Sequence, residues 1–485
     1  MDDFISALKK INTDGLIYHF SKLSIELFNS NKPYMELSFP VIRYGIHQSC
    51  TVLLTGWDIL NIEYLSVKYS NDYRHSERML SPARLVELYR DYEDKSQSSL
   101  IRSRDDSNGV FRIVLGMTAE QFQYQNLIWI FERFSRNYYI LVAAKNMEHR
   151  NGIDVDSITN EVFGLSAEDY TAVLVVLMWL CMKDPEPLSF PEELFKKKDN
   201  QLFTKENIAR LVKYYSCDYK TLRSSSLGKQ LLYSKPFVKT QRNTYFLSSL
   251  YSLGMTIGNG LYWVVRDYYR IQGTQKFVNA FGLLFEDYII DIANKYCQHS
   301  EWQPLPKEKG KGADFLFSFA DVQIVVEAKS ALLQLDGKQQ EPNDTSIKKF
   351  FNNTINEAYE QLQSSCSRLF SDTKESVVKV ILLYDEFSNT AIIEESMRDL
   401  FYSDPQCFVI TIRELEILLY LHKNDPKKCE SIVHQMISIR KSESGRMNFG
   451  AILDDHQVFD NEHLKGEMDY FSILLEQYTG SRIKK

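Results

Sequence analysis

Hydrophobic residues recur mainly at helical spacing through the first 190 residues. Thr118-Ala-Glu-Gln121 and Ser166-Ala-Glu-Asp169 both have the capping-box pattern that begins helices. The second motif leads into an apolar run of 11 residues, 172–182, which predicts a buried helix because a membrane span needs about 20 residues. We therefore expect residues 1–190 to form a mainly helical domain with a few short strands, in a sensing or partner-binding role that the sequence does not define.

From about residue 275 onward, the hydrophobic pattern predicts strands as well as helices. The predicted elements are, in order, helix 277–295, strands 314–319 and 322–329, helix 347–370, strand 377–384, helix 389–401, strand 407–412 and helix 414–421. Such an order, with a late βαβ crossover, is typical of an α/β domain with a mixed central sheet. The predicted fold class is thus α+β multidomain: a mostly α-helical N-terminal region, an α/β domain over 275–425 and a helical extension over 426–485.

Composition places the chain among globular proteins. Of its 485 residues, 44% are hydrophobic and 25% charged, which excludes disordered and collagen-like classes. Its seven cysteines are scattered and never spaced as C-x-x-C, which favours a reducing compartment without a structural zinc site. The first residues lack the basic and apolar regions of a signal peptide. We expect a cytoplasmic protein with no membrane segment.

The net charge of −7 taken alone argues against attraction to nucleic acid, but the charge is unevenly distributed. Residues 196–242 contain twelve basic and only three acidic side chains. Five tyrosines are interleaved with or adjoin them: Tyr214, Tyr215, Tyr219, Tyr233 and Tyr245. Cations for phosphates together with aromatic rings for base stacking are typical of a nucleic-acid-binding groove.

We therefore predict a basic, Tyr-rich helical segment over 191–274 that binds nucleic acid. The alternative is a solvated basic face that docks on an acidic neighbouring domain. The residues predicted to bind nucleic acid are Lys196, Lys197, Lys198, Lys213, Lys220, Arg223, Lys229, Lys235, Lys239 and Arg242.

The residues with the clearest chemistry lie on a predicted hairpin over 314–329. If its turn is centred on Ala320-Asp321, Asp314 lies opposite Glu327, where like charges are destabilising. Glu327 and Lys329 share one face of their strand, since side chains alternate. Two opposed carboxylates in an otherwise apolar hairpin need compensation, which Mg²⁺ or Mn²⁺ would supply through hard oxygen ligands.

A third acidic residue lies on the preceding helix. Glu286 is the only charge on a stripe that otherwise reads Gly, Ile, Ile and Ala, whereas Asp287 falls on a more solvated stripe. An isolated Glu on an inward face either has a buried partner or is a ligand. Near the hairpin, Glu286 could complete a metal site.

These residues resemble those of a known family. Asp314, the following Glu327-Ala-Lys329 and the upstream Glu286 are similar to the motif of the PD-(D/E)xK nuclease superfamily, which has the restriction-endonuclease-like fold. The resemblance covers roughly residues 275–420. It departs from the pattern in having Ala313 where the family's name-giving proline would be; the carboxylate that follows does the chemistry.

The resemblance implies a role for each residue. Asp314 and Glu327 would hold the metal with the carbonyl of Ala328, and Glu286 would support a first or second ion. Lys329 would orient or deprotonate the attacking water and stabilise developing charge. Residues of the following helix would contact the substrate backbone or support the site, unless they only form a solvated face: Lys348, Lys349, Tyr359 and Gln361.

The function implied is a Mg²⁺- or Mn²⁺-dependent endonuclease that hydrolyses nucleic acid, with DNA favoured. By fold-level analogy it would be an effector of prokaryotic restriction or antiphage defence, acting as a homodimer or with a partner subunit. The alternative is a non-catalytic nucleic-acid-binding or protein-interaction module on a degenerate nuclease fold. A second E-x-K match, Glu93-Asp-Lys95, lies in a polar, loop-like setting, and nucleotide-binding, zinc-protease and serine-hydrolase motifs are absent.

Overall fold

A computed structural model describes most of the chain. The residues described are 3–43, 46–73, 81–102, 107–122, 128–149, 152–183, 204–241, 243–307, 312–334, 337–338, 343–370, 376–387, 390–438 and 447–480. The predicted nucleic-acid-binding residues Lys196, Lys197, Lys198 and Arg242 lie outside these ranges.

The N-terminal region is helical around one long hairpin. Strands β1 (Tyr34–Arg43) and β2 (Ile46–Thr55) pair antiparallel over ten residues each, so the strands here are longer than expected. The helices are α1 (Asp3–Leu8), α2 (Thr13–Asn29), α3 (Gly56–Tyr69), α4 (Pro82–Arg102), α5 (Ser107–Phe122), α6 (Ile128–Tyr138), α7 (Val155–Phe163) and α8 (Ala167–Lys183).

The two predicted capping boxes have different outcomes. The backbone N–H of Asp169 donates to Ser166 Oγ (3.1 Å) at the start of α8, which confirms both that cap and the buried helix beyond it. The prediction at Thr118 is wrong, because Thr118 lies inside α5 and its hydroxyl donates back to the carbonyl of Val114 (2.6 Å). A threonine inside a helix can satisfy its hydroxyl in this way, so the motif alone did not mark a helix start.

The basic middle segment is not wholly helical. It contains a three-stranded sheet in the order β3-β4-β5. Its elements are α9 (Lys205–Tyr214), β3 (Ser216–Asp218), α10 (Tyr219–Ser224), α11 (Leu231–Ser234), β4 (Phe237–Lys239), β5 (Tyr245–Leu247) and α12 (Leu250–Ile271).

The remainder is built on a five-stranded mixed sheet in the order β10-β9-β8-β7-β6. Strands β6 to β8 are antiparallel, and β8 to β10 are parallel. The strands are β6 (Trp302–Pro304), β7 (Phe315–Phe319), β8 (Val322–Lys329), β9 (Ser376–Leu383) and β10 (Cys407–Thr411). The four longer strands match the prediction closely; the three-residue edge strand β6 was too short to show a pattern.

The helices of this part also follow the predicted order. They are α13 (Lys276–Tyr296), α14 (Asp344–Phe350), α15 (Glu357–Leu369), α16 (Ala391–Ser396), α17 (Arg398–Ser403), α18 (Ile412–Asn424), α19 (Pro426–Ser438), α20 (Phe449–Asp455) and α21 (Tyr470–Thr479). The predicted helix 389–401 is divided at Met397, whose backbone leaves the helical region (φ −123°, ψ 42°).

Side-chain alternation in the sheet creates two cores. Phe315, Phe317 and Phe319 of β7 join a large core that continues into the N-terminal helices. Leu316 of β7 and Val325 of β8 point the other way, into a smaller core. The protein is therefore α+β and mostly helical, with mixed sheets, as the hydrophobic pattern predicted.

Among the described residues, no single helix has both the length and the apolar character for a membrane crossing; α7 and α8, bent by 57° at their junction, meet those criteria only as a pair, by length and composition. All seven cysteines are free thiols.

A buried histidine gives the fold a pH dependence. His463 is 3% exposed, and its ring nitrogens lie 3.1 Å from Tyr288 Oη and 2.9 Å from Tyr296 Oη. Burial lowers the pKa of His463 to about 4, so the folded state holds the imidazole neutral. Its contribution to stability is present above the unfolded pKa of about 6.5 and is lost as the pH falls toward 4.

We expect the wild type to lose about 2 kcal/mol of stability through this group between pH 7.5 and pH 5. His463→Gln should lose less over the same interval, and His299→Gln, at an exposed position, should behave like the wild type. Urea unfolding at the two pH values measures all three. Equal pH dependence of His463→Gln and wild type would contradict the assignment.

Candidate functional site

The predicted hairpin forms with the predicted register. Strands β7 and β8 pair from Phe315 with Val326 to the end of β7, and the paired residue numbers sum to 641. The turn lies at Ala320-Asp321, with Ala320 in the left-handed region (φ 52°). Asp314 lies one residue before β7, beside Glu327, because its N–H donates to the carbonyl of Val326 (2.9 Å).

Asp314 is fixed by two contacts. It is 5% exposed, and its Oδ2 accepts a hydrogen bond from the backbone N–H of Ala328 (2.8 Å). Its Oδ1 lies 2.8 Å from Lys307 Nζ. The Ala328 N–H thus ties Asp314 to the strand that carries Glu327 and Lys329; a ligand role for the Ala328 carbonyl stays a prediction.

Glu327 carries the most perturbed carboxylate of the hairpin. It is 3% exposed, and its Oε1 lies 2.9 Å from Lys329 Nζ. Its Oε2 is buried and accepts no hydrogen bond from the part of the chain that the structure describes. Burial and then the charge of Asp314 raise the pKa of Glu327 to about 8, although Lys329 opposes the shift. A cation in reach of Oε2 would remove this cost.

Lys329 lies on the same face of β8 as Glu327, as predicted. Its ammonium donates to Oε1 of Gln361 on α15 (2.7 Å), so that helix reaches the hairpin through the glutamine. Lys348 and Lys349 are exposed on α14, and for them a substrate contact stays a prediction. Tyr359 is half-buried beside Asp404.

Glu286 reaches the hairpin through a lysine that the sequence analysis did not identify. Lys307 Nζ lies 2.8 Å from both Glu286 Oε1 and Asp314 Oδ1. Burial raises the pKa of Glu286, and Lys307 opposes this. Burial alone would lower the pKa of Lys307, but its bonds to the two carboxylates outweigh that effect and raise it. Lys307 precedes β7 in a loop without periodicity, so no pattern linked it to the acids.

Asp287 departs from the expected solvated position. It is 5% exposed, and its carboxylate accepts the backbone N–H of His149 (2.9 Å) and lies 2.9 Å from His149 Nδ1. The residues before α7 cover this stripe of α13, a long-range contact that helical periodicity alone could not show. With Glu148, these two residues form a cluster whose ligand atoms all lie within 4.8 Å of one another.

The three predicted carboxylates do not form so tight a cluster. Glu148, His149 and Asp287 are the one such group of three among the described residues. Lys307 lies between Glu286 and Asp314, and Lys329 pairs with Glu327. The donor set still fits a divalent cation. The ammonium of Lys307 shows that Glu286 and Asp314 can share one cation. Glu327 Oε2, which has no donor among the described residues, offers a further oxygen ligand.

The competing E-x-K match does not lie in a loop. Glu93 and Lys95 are part of helix α4, and Glu93 is 8% exposed and accepts from the hydroxyl of Tyr89 (3.2 Å). A helix cannot hold these residues in the geometry that a strand hairpin gives them. We therefore do not regard Glu93-Asp-Lys95 as a candidate metal site.

Several predicted nucleic-acid-binding cations have partners within the chain. Arg223 donates two hydrogen bonds of 2.7 Å to the carboxylate of Asp72. Lys229 Nζ lies 3.0 Å from Glu120 Oε1, and Lys235 donates to the carbonyl of Tyr214. These three residues therefore stabilise the fold. Lys213 and Lys220 are exposed and Lys239 is half-buried; for these three, contact with nucleic acid stays a prediction.

The tyrosines of the segment are mostly unavailable for base stacking. Tyr215, Tyr219 and Tyr233 are at most 9% exposed, whereas Tyr214 and Tyr245 are half-buried. Their helical and strand neighbours pack them into the large core. The interpretation of all five rings as a stacking surface is wrong.

Comparison of the chain with family models, with curated proteins and with solved structures finds no match.

Proposed function

We propose that the protein is a metal-dependent endonuclease of the PD-(D/E)xK kind that hydrolyses phosphodiester bonds of nucleic acid, with DNA favoured. The observation that carries the proposal is the end of the β7–β8 hairpin. There Asp314 and Glu327 are buried side by side, one Glu327 carboxylate oxygen has no hydrogen-bond donor among the described residues, and Lys329 lies on the face of Glu327. The mixed sheet and the helix α13 that precedes it also support the proposal.

In this proposal the carboxylates and Lys329 have different roles in hydrolysis. Asp314, Glu327, Glu286 and the carbonyl of Ala328 would hold Mg²⁺ or Mn²⁺. Such an ion, when bound, lowers the pKa of water and neutralises charge on the scissile phosphate. The ammonium of Lys329, positioned by its bonds to Glu327 and Gln361, orients the attacking water and stabilises negative charge that develops on the phosphate.

We also propose that the helical N-terminal region senses a substrate, partner or trigger. Arg133 and Arg136 of α6 both bind Glu386, three residues after β9 (2.5 Å each), which gives this region a direct contact with the chain that leaves the sheet. We propose a cytoplasmic effector of prokaryotic restriction or antiphage defence. Because one site cuts one strand, cleavage of duplex DNA would take a homodimer or a partner subunit.

The test is a cleavage assay on supercoiled plasmid, linear duplex, single-stranded DNA and RNA, each with Mg²⁺, Mn²⁺ or EDTA. We expect products from at least one DNA substrate with either metal and none with EDTA, because the carboxylates act through the cation. Cleavage that persists in EDTA, or no product from any substrate in either metal, would contradict the proposal.

One observation favours a second function, a nucleic-acid-binding module without catalysis. Lys307 already neutralises Asp314 and Glu286, as a resident cation would in a degenerate site. This alternative requires metal-independent binding that weakens steeply with salt and yields no product in the same assay.

A further inference from the structure

A cavity of about 320 Å³ lies between the helical region and the ends of the central strands. Its walls include Tyr214 at the end of α9, Tyr233 of α11 and Trp263 of α12. Tyr384, directly after β9, and Leu333, after β8, contribute from the sheet side. The volume is within the range of ligand pockets, roughly 300–1,000 Å³. The aromatic residues suit a flat, unsaturated ligand.

The charges in the wall are balanced, with four carboxylates and four cationic side chains. Arg133 and Arg136 are engaged by Glu386 (2.5 Å each), and Lys338 lies 2.5 Å from Asp385 Oδ1. The fourth cation, Lys235, donates to the carbonyl of Tyr214 and has the charge of Asp267 near it. A phosphorylated ligand would need cations that are not already engaged. The cavity therefore fits a neutral ligand better than a nucleotide.

One buried acceptor in the wall lacks a donor. Gln230 is 1% exposed, and its Nε2 donates to Glu120 Oε1 (3.0 Å) and to the carbonyl of Lys338 (3.2 Å). Because both partners are acceptors, they fix which end of the amide is nitrogen. Gln230 Oε1 is then left without a donor from the described residues. A buried acceptor in this state favours a ligand that supplies an N–H.

We propose that this cavity binds a neutral nucleobase or nucleoside, which donates an amino or ring N–H to Gln230 Oε1 and packs against Tyr214, Trp263 and Tyr384. Nucleobases have a flat π-surface, N–H donors and no charge. These three properties match the aromatic lining, the Gln230 acceptor and the balanced charges of the cavity wall.

The cavity adjoins the candidate site through the backbone. The N–H of Tyr384 donates to the carbonyl of Lys329 (3.0 Å), and the N–H of Leu333 donates to Asp385 Oδ2 (2.8 Å). A ligand in the cavity would thus contact the chain immediately beyond Lys329. Binding itself does not depend on the nuclease proposal, so the test below stands whether or not the protein cleaves nucleic acid.

The experiment is calorimetric titration of the full chain with adenosine, guanosine, cytidine, uridine and purine riboside, which lacks the amino group of adenosine. We expect saturable one-to-one binding, with Kd below 1 mM, of at least one nucleoside whose base carries an amino or ring N–H. If that nucleoside is adenosine, purine riboside should bind at least tenfold more weakly. No binding of any of the five up to 1 mM would overturn the proposal.

Single-residue variants test whether the nucleoside binds in this cavity. Asn259→Trp, on the half-buried cavity face of α12, should fill the space and weaken binding at least tenfold. Asn279→Trp, exposed on α13, is the matched control and should bind as the wild type does. Gln230→Met should remove the preference for nucleosides that have an N–H donor. Unchanged binding by folded Asn259→Trp, or an unchanged preference in Gln230→Met, would overturn the assignment.

Discussion

Replacing Glu327 by Gln is expected to reduce Mg²⁺-dependent cleavage about 10²–10³-fold, the loss typical of removing a group that supports transition-state charge. The same change should stabilise the protein without metal at pH 8. Burial and Asp314 raise the pKa of Glu327 to about 8, well above the unfolded value near 4.5. Stability through this group is therefore present below pH 4.5 and falls as the pH rises toward 8, whereas Gln stays neutral throughout.

The two readouts separate a catalytic role from a structural one. Cleavage rates are compared between wild type and Glu327→Gln, and urea unfolding is measured at pH 4.5 and pH 8, where the stabilisation should be small and large respectively. Asp321→Asn is the control, because Asp321 lies exposed at the turn of the same hairpin and should leave cleavage unchanged. A Glu327→Gln protein that cuts at the wild-type rate would refute the assignment.

Arg136→Met is expected to destabilise the fold by about 3–5 kcal/mol, the typical cost of removing one partner from a buried ion pair. Arg136 is 1% exposed and binds Glu416 Oε1 at 2.6 Å and Glu386 Oε1 at 2.5 Å. Burial alone would raise the pKa of Glu416, but Arg136 outweighs that effect and holds it low. Without the guanidinium, buried negative charge is left uncompensated.

Denaturant unfolding measures this effect, with Arg210→Met as the control. Arg210 pairs with Glu206 across one turn of α9, and both side chains are exposed, so its loss should cost less than about 1 kcal/mol. Adding Glu416→Gln to Arg136→Met should restore part of the stability, since Glu386 keeps Arg133. A cost below 1 kcal/mol for Arg136→Met would show that these charges do not hold α6 to the sheet.

Local patterns sufficed to predict four of the five strands of the central sheet and the hairpin within it. Alternation and a two-residue turn fix the register of β7 and β8, and hence the neighbourhood of Asp314 and Glu327 and the shared face of Lys329. These relations depend on residues close in sequence. A register slip of one residue would move every side chain of the strand to the opposite face of the sheet, and so into the wrong one of the two cores.

Contacts between elements that are distant in the chain could not be predicted from the sequence. Lys307 joins Glu286 to Asp314 from a loop, and Asp287 is covered by His149. In the basic segment, charge and aromatic content suggested a binding surface, yet Arg223 proved to be paired with Asp72. Composition counts charges but does not reveal which of them find partners after folding.

The claim that Asp314 and Glu327 hold the cation on which cleavage depends is tested most directly by Mn²⁺ titration calorimetry. We expect Asp314→Asn to weaken Mn²⁺ binding at least tenfold, while His149→Gln, in the rival cluster with Glu148 and Asp287, binds Mn²⁺ as the wild type does. Unchanged Mn²⁺ affinity in Asp314→Asn, with the loss appearing in His149→Gln instead, would contradict the account.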